Sequence, residues 1–181
     1  MKTVTIEDIL SFGPCWENAR ERMEKIAQKY NQQEWSAVDV LRLPEALVSN
    51  ADKLWLVLRE ELVDVPVLHE FACRCAEHVL SKIDNPDPRS VAAVEAKRAW
   101  LRGEISDDEL DNAHDAAGAA HYAAARVAKS ACHAAYSAYR AADDAAYWAA
   151  SDAADCAAKA ANDKGTERTW QVAELIKMLE E

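Results

Sequence analysis

The stretch that decides the fold is DDELDNAHDAAGAAHYAAARVAKSACHAAYSAYRAADDAAYWAASDAADCAAKAAND, residues 107–163. Close to half of its residues are alanine, and it contains one glycine and no proline. Alanine has the highest helix propensity because it loses no side-chain entropy on folding and crowds no neighbouring turn. This stretch, which we call the alanine tract, is therefore predicted to be helical.

One line of alanines recurs at steps of three or four along the tract, and the mean step of about 3.6 residues is the period of a straight α-helix. The line consists of Ala117, Ala120, Ala124, Ala128, Ala131, Ala135, Ala138, Ala142, Ala145, Ala149, Ala153, Ala157 and Ala160. Each alanine buries only about one methyl group, worth ~0.8 kcal/mol. The tract therefore cannot form a core alone, and bulky side chains must come from other segments.

The length of the tract limits how it can be arranged. As one helix, its residues would span roughly 85 Å at about 1.5 Å each, whereas a compact domain of this length has a radius of gyration near 16 Å, to order of magnitude. We expect the tract to break into two or more antiparallel helices, at Gly118 or at the polar cluster 140–144. A single rod in an elongated oligomer is the alternative.

The segments outside the tract show helical periodicity and helix-capping signals. Helices are predicted from Thr5, over 15–30, from Ser36 to Pro44, over 51–63, over 67–83, from Pro88 to Gly103 and from Thr166 onward. Their predicted inward faces include Leu54, Trp55, Leu58 and Leu62; Leu68, Phe71, Ala72, Cys75, Val79 and Leu80; Val91, Val94 and Trp100; and Trp170, Ala173, Ile176 and Leu179. No strand is predicted, because alternating β-branched patterns are absent.

The predicted fold class is thus all-α: a multi-helix bundle in which a long alanine-rich tract packs against bulky-faced helices. We expect one helical domain over 1–181. Within it, 1–103 supply the bulky faces, 104–164 the alanine-rich part and 165–181 a C-terminal helix.

The net charge of −11 is uneven along the chain. Residues 104–181 carry 7 basic and 15 acidic side chains, which leaves −8 in the C-terminal part alone. Nucleic-acid binding needs Lys and Arg against phosphate, so the charge argues against a direct nucleic-acid binder and favours a basic partner surface. Five scattered cysteines, and the lack of an apolar run of about 20 residues, predict a cytoplasmic protein with free thiols and no membrane contact.

A strip of polar and aromatic residues recurs every three to four positions opposite the alanine line. It comprises Tyr122, Arg126, Lys129, His133, Tyr136, Arg140, Asp144 and Tyr147. Tyr and Arg are enriched at interface hot spots, so the strip is the candidate binding surface. If the tract folds back, the strip would line a cleft for a small anionic ligand. The alternative is a solvated face on which Arg140 and Asp144 pair.

Chemistry-bearing motifs are weak in this sequence. His69-Glu70-Phe71-Ala72-Cys73 resembles the HExxH zinc motif, with Cys75 and His78 nearby, but no distant cluster completes four ligands. No phosphate loop, dinucleotide fingerprint or nucleophile elbow occurs. We therefore predict no catalytic residue, no metal and no cofactor, and a protein that is not an enzyme.

Four segments together resemble a known family. They are GPCWENARERM (13–23), DKLWLVLREELVDVPVLHEFACRCAEHVL (52–80), DPRSVAAVEAKRAWLRGEISDDEL (87–110) and the closing WQVAELIKMLEE (170–181). With the alanine tract, this order is similar to a helical family of bacteria, phages and mobile elements whose members are commonly labelled immunity proteins.

The resemblance implies a protein that binds and neutralises a toxin or a bacterial defence component, as an immunity-like or phage anti-defence inhibitor. It brings no established site residues with it. The expected partner is a protein, and the alternative function is a small-ligand protein that sequesters or processes a nucleotide-like signal in a helical cleft.

Overall fold

The computed structural model describes residues 2–14, 16–123, 146–161 and 163–181. Within these ranges the chain forms nine helices and one two-stranded sheet, which confirms the all-α fold class. Contacts divide it into two compact units, Met1–Asp64 and Val65–Glu181. None of the helices in the described ranges combines the length and apolar character that crossing a bilayer requires. The expected single domain over 1–181 stays a prediction.

The N-terminal unit is built from short elements. They are β1 (Thr3–Thr5), α1 (Ile6–Ser11), α2 (Ala19–Tyr30), β2 (Glu34–Ser36), α3 (Ala37–Leu41) and α4 (Asn50–Val57). The predicted caps hold, because Thr5 and Ser36 each form a capping box with the aspartate three residues later. Two predicted helices are shorter than expected: the one over 15–30 begins at Ala19, and the one over 51–63 ends at Val57.

The two strands contradict the prediction that the chain has none. β1 and β2 pair antiparallel with Val4 opposite Trp35, and both of these side chains are buried. Three residues per strand are too few to show a period of two, which is why the pattern was missed. Each strand runs directly into a capped helix, so the ribbon fixes where α1 and α3 begin.

The C-terminal unit consists of five longer helices: α5 (Val65–Leu80), α6 (Pro88–Leu101), α7 (Asp107–Ala123), α8 (Ala146–Ala160) and α9 (Lys164–Glu180). α5 is central, since it packs against α6, α8 and α9, while α6 packs against α7. The predicted starts at Pro88 and Ser106 hold, with Asp87 capping α6 and Ser106 bonded to Glu109. The last helix begins at Lys164 rather than Thr166, because Asp163 caps it.

The alanine tract contributes α7 and α8, and its small residues face bulky ones. α5 buries Leu68, Phe71 and Val79, and its most extensive contacts are with α8. On α8, Ala150, Ala153, Ala154, Ala157 and Ala158 are buried. The described part of the tract thus packs against a bulky-faced helix, as predicted.

The break in the tract does not occur at Gly118, where α7 continues without interruption to Ala123. A helix tolerates a single glycine at a cost of about 1 kcal/mol. The other predicted break, the cluster 140–144, lies outside the described residues.

Two predicted inward faces are wrong in their rotation. On α6, Val94 is buried as predicted, but Val91 is 37% exposed, and the other buried residues are Ser90, Ala93 and Lys97. On α9, Ala173 is exposed, and the buried residues are Glu167, Gln171, Val172 and Leu175. In both helices polar side chains occupy inward positions, which a search for apolar periodicity cannot detect.

We expect Ala157→Leu to destabilise the C-terminal unit, because Ala157 is fully buried in the face of α8 that meets α5. Inserting three carbons into a packed contact costs about 1–3 kcal/mol. Denaturant unfolding measures this. Ala173→Leu, the same change on the exposed face of α9, is the control. Equal free energies of unfolding for the two variants would contradict the packing of α8 described above.

Candidate functional site

The described surface of the C-terminal unit contains a charged cleft of about 530 Å³. It lies where α5, α6 and α9 come together. The cleft is lined by Glu70, Arg74, Glu77, His78, Ser81, Arg98, Trp170, Glu174 and Lys177. The helical spacing of Glu70, Arg74 and Glu77 places these three on one side of α5, and Ser81 directly follows the end of the helix. The volume is within the range of small-molecule sites, but the cleft is wide open to solvent and mostly polar, whereas such sites are usually enclosed and apolar.

A ladder of ion pairs forms one wall of the cleft. Arg98 on α6 donates hydrogen bonds to Glu70 and to Glu77 on α5. Arg74 donates to Glu70 at 3.0 Å and also pairs with Glu174 on α9. Burial opposes the charge of Arg98, but its bonds to the two carboxylates prevail and raise its pKa. These arginines are thus held in fixed positions, with their charge already neutralised.

Another part of the cleft lining is aromatic and is held by a buried acid. The rings of His78 and Trp170 stack with centroids 3.5 Å apart and planes 4° from parallel. The fully buried carboxylate of Glu167 accepts a hydrogen bond from Lys82 Nζ at 2.8 Å and lies 3.4 Å from His78 Nε2. Burial lowers the pKa of His78, although Glu167 opposes this effect. The acid therefore fixes both the imidazole and the end of α5 against α9.

A second polar residue of α9 ties that helix to α8. Gln171 is fully buried, and its amide donates to the carbonyl of Ala154 at 2.9 Å. Its side-chain oxygen accepts from Arg168 at 3.0 Å, and Arg168 also pairs with Asp155 on α8. The polar inward face of α9 is thus satisfied by specific bonds, and this positions Trp170 and Glu174 in the cleft.

α5 and α6 bury three titratable residues: His69, Cys73 and Lys97. Lys97 Nζ lies 3.9 Å from the centroid of the Trp100 ring. Burial lowers the pKa of Lys97 to about 8 and raises that of Cys73 to about 12. Burial, together with the charge of Lys97, lowers the pKa of His69 to about 4. At neutral pH the imidazole and the thiol are therefore uncharged.

The HExxH-like segment does not assemble a metal centre among the residues that the structure describes. No group of three or more His, Cys, Asp or Glu side chains there is placed to hold an ion. His69 and Cys73 are buried with Lys97 nearby, and a cation beside them disfavours a metal ion. Burial raises the pKa of Cys75 well above its usual value, and the charge of Glu167 adds to this rise while that of Arg168 opposes it.

An acidic stripe runs along the exposed face of α7. Asp108, Asp111 and Asp115 lie three and four residues apart, so they share one side of the helix, and all three are exposed. Neighbouring acids have partners: Asp107 accepts from Trp100 Nε1 and Glu109 completes the cap with Ser106. The side chains of the three stripe residues make no hydrogen bond or ion pair within the described ranges.

Most of the predicted binding strip lies outside the residues that the structure describes. Arg126, Lys129, His133, Tyr136, Arg140 and Asp144 are outside the described residues. Tyr122 lies near the end of α7 and Tyr147 near the start of α8. The strip stays a prediction.

Sequence reasoning missed Lys97, Arg98, Glu167 and Glu174. A signal existed for Lys97, because Ser90, Ala93, Val94 and Lys97 follow one another at steps of three and one, which places them on one helix face. For Glu167 and Glu174 the partners Lys82 and Arg74 are on another helix. Only the folded structure brings these pairs together.

Comparison with protein-family models, with curated proteins and with solved structures finds no match to this chain. The resemblance of segments 13–23, 52–80, 87–110 and 170–181 to the immunity-protein family stays a prediction. The site is therefore interpreted from its own geometry.

We expect the stability of the protein to fall as the pH is lowered from 6.5 towards 4.5, with His69 contributing to the loss. The pKa of His69 is about 4 in the folded state and 6.5 ordinarily. Between these values the unfolded chain binds a proton that the folded chain does not, so stability rises with pH, by at most about 1.4 kcal/mol per unit. Denaturant unfolding at several pH values measures the slope.

His69→Leu is the matched variant, because it removes this titration and leaves the surface carboxylates in place. We expect its free energy of unfolding to vary less steeply between pH 4.5 and 6.5. Parallel pH profiles for wild type and variant would show that His69 is not buried in a neutral form.

Proposed function

We propose that this protein is a non-enzymatic binding protein that neutralises a toxin or a bacterial defence component by stoichiometric association. The observation that supports it best is the acidic stripe Asp108, Asp111 and Asp115 on α7. Its preferred partner is a protein with a basic surface. A phage-encoded protein of this kind would act in the host cytoplasm, as an immunity-like or anti-defence inhibitor.

Helix stability does not account for Asp111 and Asp115 of the stripe. The helix dipole stabilises acids in the first turn, which explains Asp107, Asp108 and Glu109. That effect fades beyond one turn, and Asp111 and Asp115 lie further along. Like charges four residues apart destabilise a helix by a few tenths of a kcal/mol, to order of magnitude. A basic partner would convert this repulsion into attraction.

Electrostatics also indicates what kind of partner fits. Complementary charge accelerates encounter and suppresses wrong partners more than it adds affinity. A toxin or defence nuclease that binds nucleic acid must present Lys and Arg to phosphate. An acidic inhibitor with a net charge of −11 would compete for that surface, whereas nucleic acid itself would be repelled.

Neutralising the stripe should weaken partner binding. The variant carries Asp108→Asn, Asp111→Asn and Asp115→Asn, and the control carries Glu17→Gln, Glu45→Gln and Glu61→Gln, three exposed acids of the N-terminal unit. Both change the net charge by the same amount. A protein captured on the wild-type chain is identified and purified, and its dissociation constant is measured for all three forms.

We expect the stripe variant to bind at least about tenfold more weakly, the control to change by less than about threefold, and wild-type affinity to fall with added salt. One equivalent of wild-type protein should abolish the partner's activity. Equal weakening by both variants, or binding insensitive to salt, would count against the proposal.

A small-ligand protein is the second candidate, and the cleft between α5, α6 and α9 supports it. Its volume suits a small molecule, and it offers both signs of charge beside the Trp170 ring. Arg74 and Arg98 already form ion pairs with Glu70, Glu77 and Glu174. This weakens the case for an anionic ligand, because the ligand would have to compete with these carboxylates for the two arginines.

Thermal-shift measurements against linear and cyclic nucleotides test this candidate. A ligand present at 100 times its dissociation constant stabilises the folded state by about 2.7 kcal/mol. We expect any such shift to be smaller in Arg74→Gln, and unchanged in Arg20→Gln, which alters an exposed arginine of the N-terminal unit. The absence of a shift across the panel would remove the candidate.

A further inference from the structure

An apolar groove lies where α5 ends and α6 begins. Its volume is about 220 Å³. Leu80 and Val94, both buried, form its apolar base. Pro86 and Val91 complete the apolar lining, and Glu77, Ser81 and Glu95 supply the polar edge. The groove belongs entirely to the C-terminal unit.

α6, which forms one wall of the groove, buries polar side chains and leaves an apolar side chain exposed. α6 buries Ser90 and Lys97, while Val91 is among the few large apolar side chains of the described chain that remain exposed. Burying a lysine lowers stability, and so does leaving a valine in water. This rotation does, however, present an apolar wall to the groove.

The size of the groove suits one side chain and not a whole ligand. A cavity of about 150 Å³ admits benzene, whereas sites for drug-sized molecules begin near 300 Å³, to order of magnitude. A space of about 220 Å³ can therefore hold one branched aliphatic or aromatic side chain. Protein interfaces place such anchors in apolar pockets near their centre.

The charge at the edge of the groove indicates which side chain of a partner should lie next to the inserted apolar one. Glu77 is engaged by Arg98. The side chain of Glu95 is exposed and makes no ion pair or hydrogen bond within the part of the chain that the structure describes. A carboxylate at the border of an apolar pocket is complementary to a Lys or Arg next to the inserted side chain.

We propose that this groove is a docking site for a segment of a protein partner that inserts one apolar side chain and places a basic side chain against Glu95. The inference rests on the proposed function as a protein-binding inhibitor and adds the chemistry of the partner's contact. Glu77 and Ser81 line both the groove and the charged cleft, so the anchor site continues into a polar surface. An apolar centre with a polar rim is the usual anatomy of an interface.

The first experiment tests the chemistry of the groove without a partner. Phenethylammonium and 3-phenylpropionate, two probes of similar shape and opposite charge, are titrated into the protein while the methyl resonances of Leu80, Val91 and Val94 are followed by NMR. We expect both to shift these methyls, with the cation binding about threefold more tightly. In Glu95→Gln that preference should disappear.

Groove methyls that respond to neither probe, or a preference for the anion, would overturn the inference. So would a preference for the cation that survives in Glu95→Gln, because the charge recognised would then lie elsewhere.

The second experiment uses the captured partner. Val91→Asp places a charge in the groove, and Val65→Asp makes the same change at a valine of nearly equal exposure outside it, 38% against 37%. Both positions are exposed, so both variants should fold, which their melting temperatures verify. We expect Val91→Asp to weaken partner binding at least about tenfold and Val65→Asp to change it by less than about threefold.

The two proposals fail in different ways. A partner that binds Val91→Asp as well as wild type, but not the stripe variant, overturns the groove and leaves the inhibitor function standing. A partner that no longer binds Val91→Asp but still binds the variant with Asp108, Asp111 and Asp115 neutralised supports the groove. That result would remove the acidic stripe from the interface.

Discussion

The C-terminal unit depends on one packing contact, the burial of α5 against the alanine face of α8. α5 is apolar on several sides because it contacts three helices, with Phe71 and Leu68 fully buried. An alanine face lets the two helices approach closely, and the large side chains of α5 then fill the space that the methyl groups leave. The polar features of the unit, including the ion-pair ladder and the stacked His78 and Trp170, are positioned by residues of this central helix.

That contact explains which parts of the fold could be predicted from sequence. Its two components are local: a 3.6-residue line of alanines and a 3.6-residue line of large apolar side chains. Caps are also local, because Ser36 with Asp39 and Ser106 with Glu109 are three residues apart. The strands escaped prediction because their stability comes from pairing across about 30 residues of chain, between Val4 and Trp35.

The candidate site was less predictable for a related physical reason. Sequence periodicity identifies apolar faces, whereas α6 and α9 turn polar residues inward. Lys97 lies against the ring of Trp100, and Glu167 receives Lys82 from the end of α5. The partner of Glu167, Lys82, is distant in sequence and is not revealed by spacing, whereas Lys97 and Trp100 are three residues apart on α6 and are neighbours by helical spacing. Polar groups in a packed interior reduce stability but restrict the arrangement of the helices, since few alternative packings would satisfy them.

This restriction bears on how an inhibitor could recognise its target. The acidic stripe on α7 would act at a distance and favour many basic surfaces alike, so it contributes to the rate of encounter more than to selectivity. The groove between α5 and α6 is the opposite kind of feature, small and defined in shape. α6 forms one wall of the groove and packs against α7, so a pair of packed helices carries both the acidic stripe and the groove. Because differences in affinity between related complexes are mostly differences in dissociation rate, the identity of the neutralised partner would be decided at the groove.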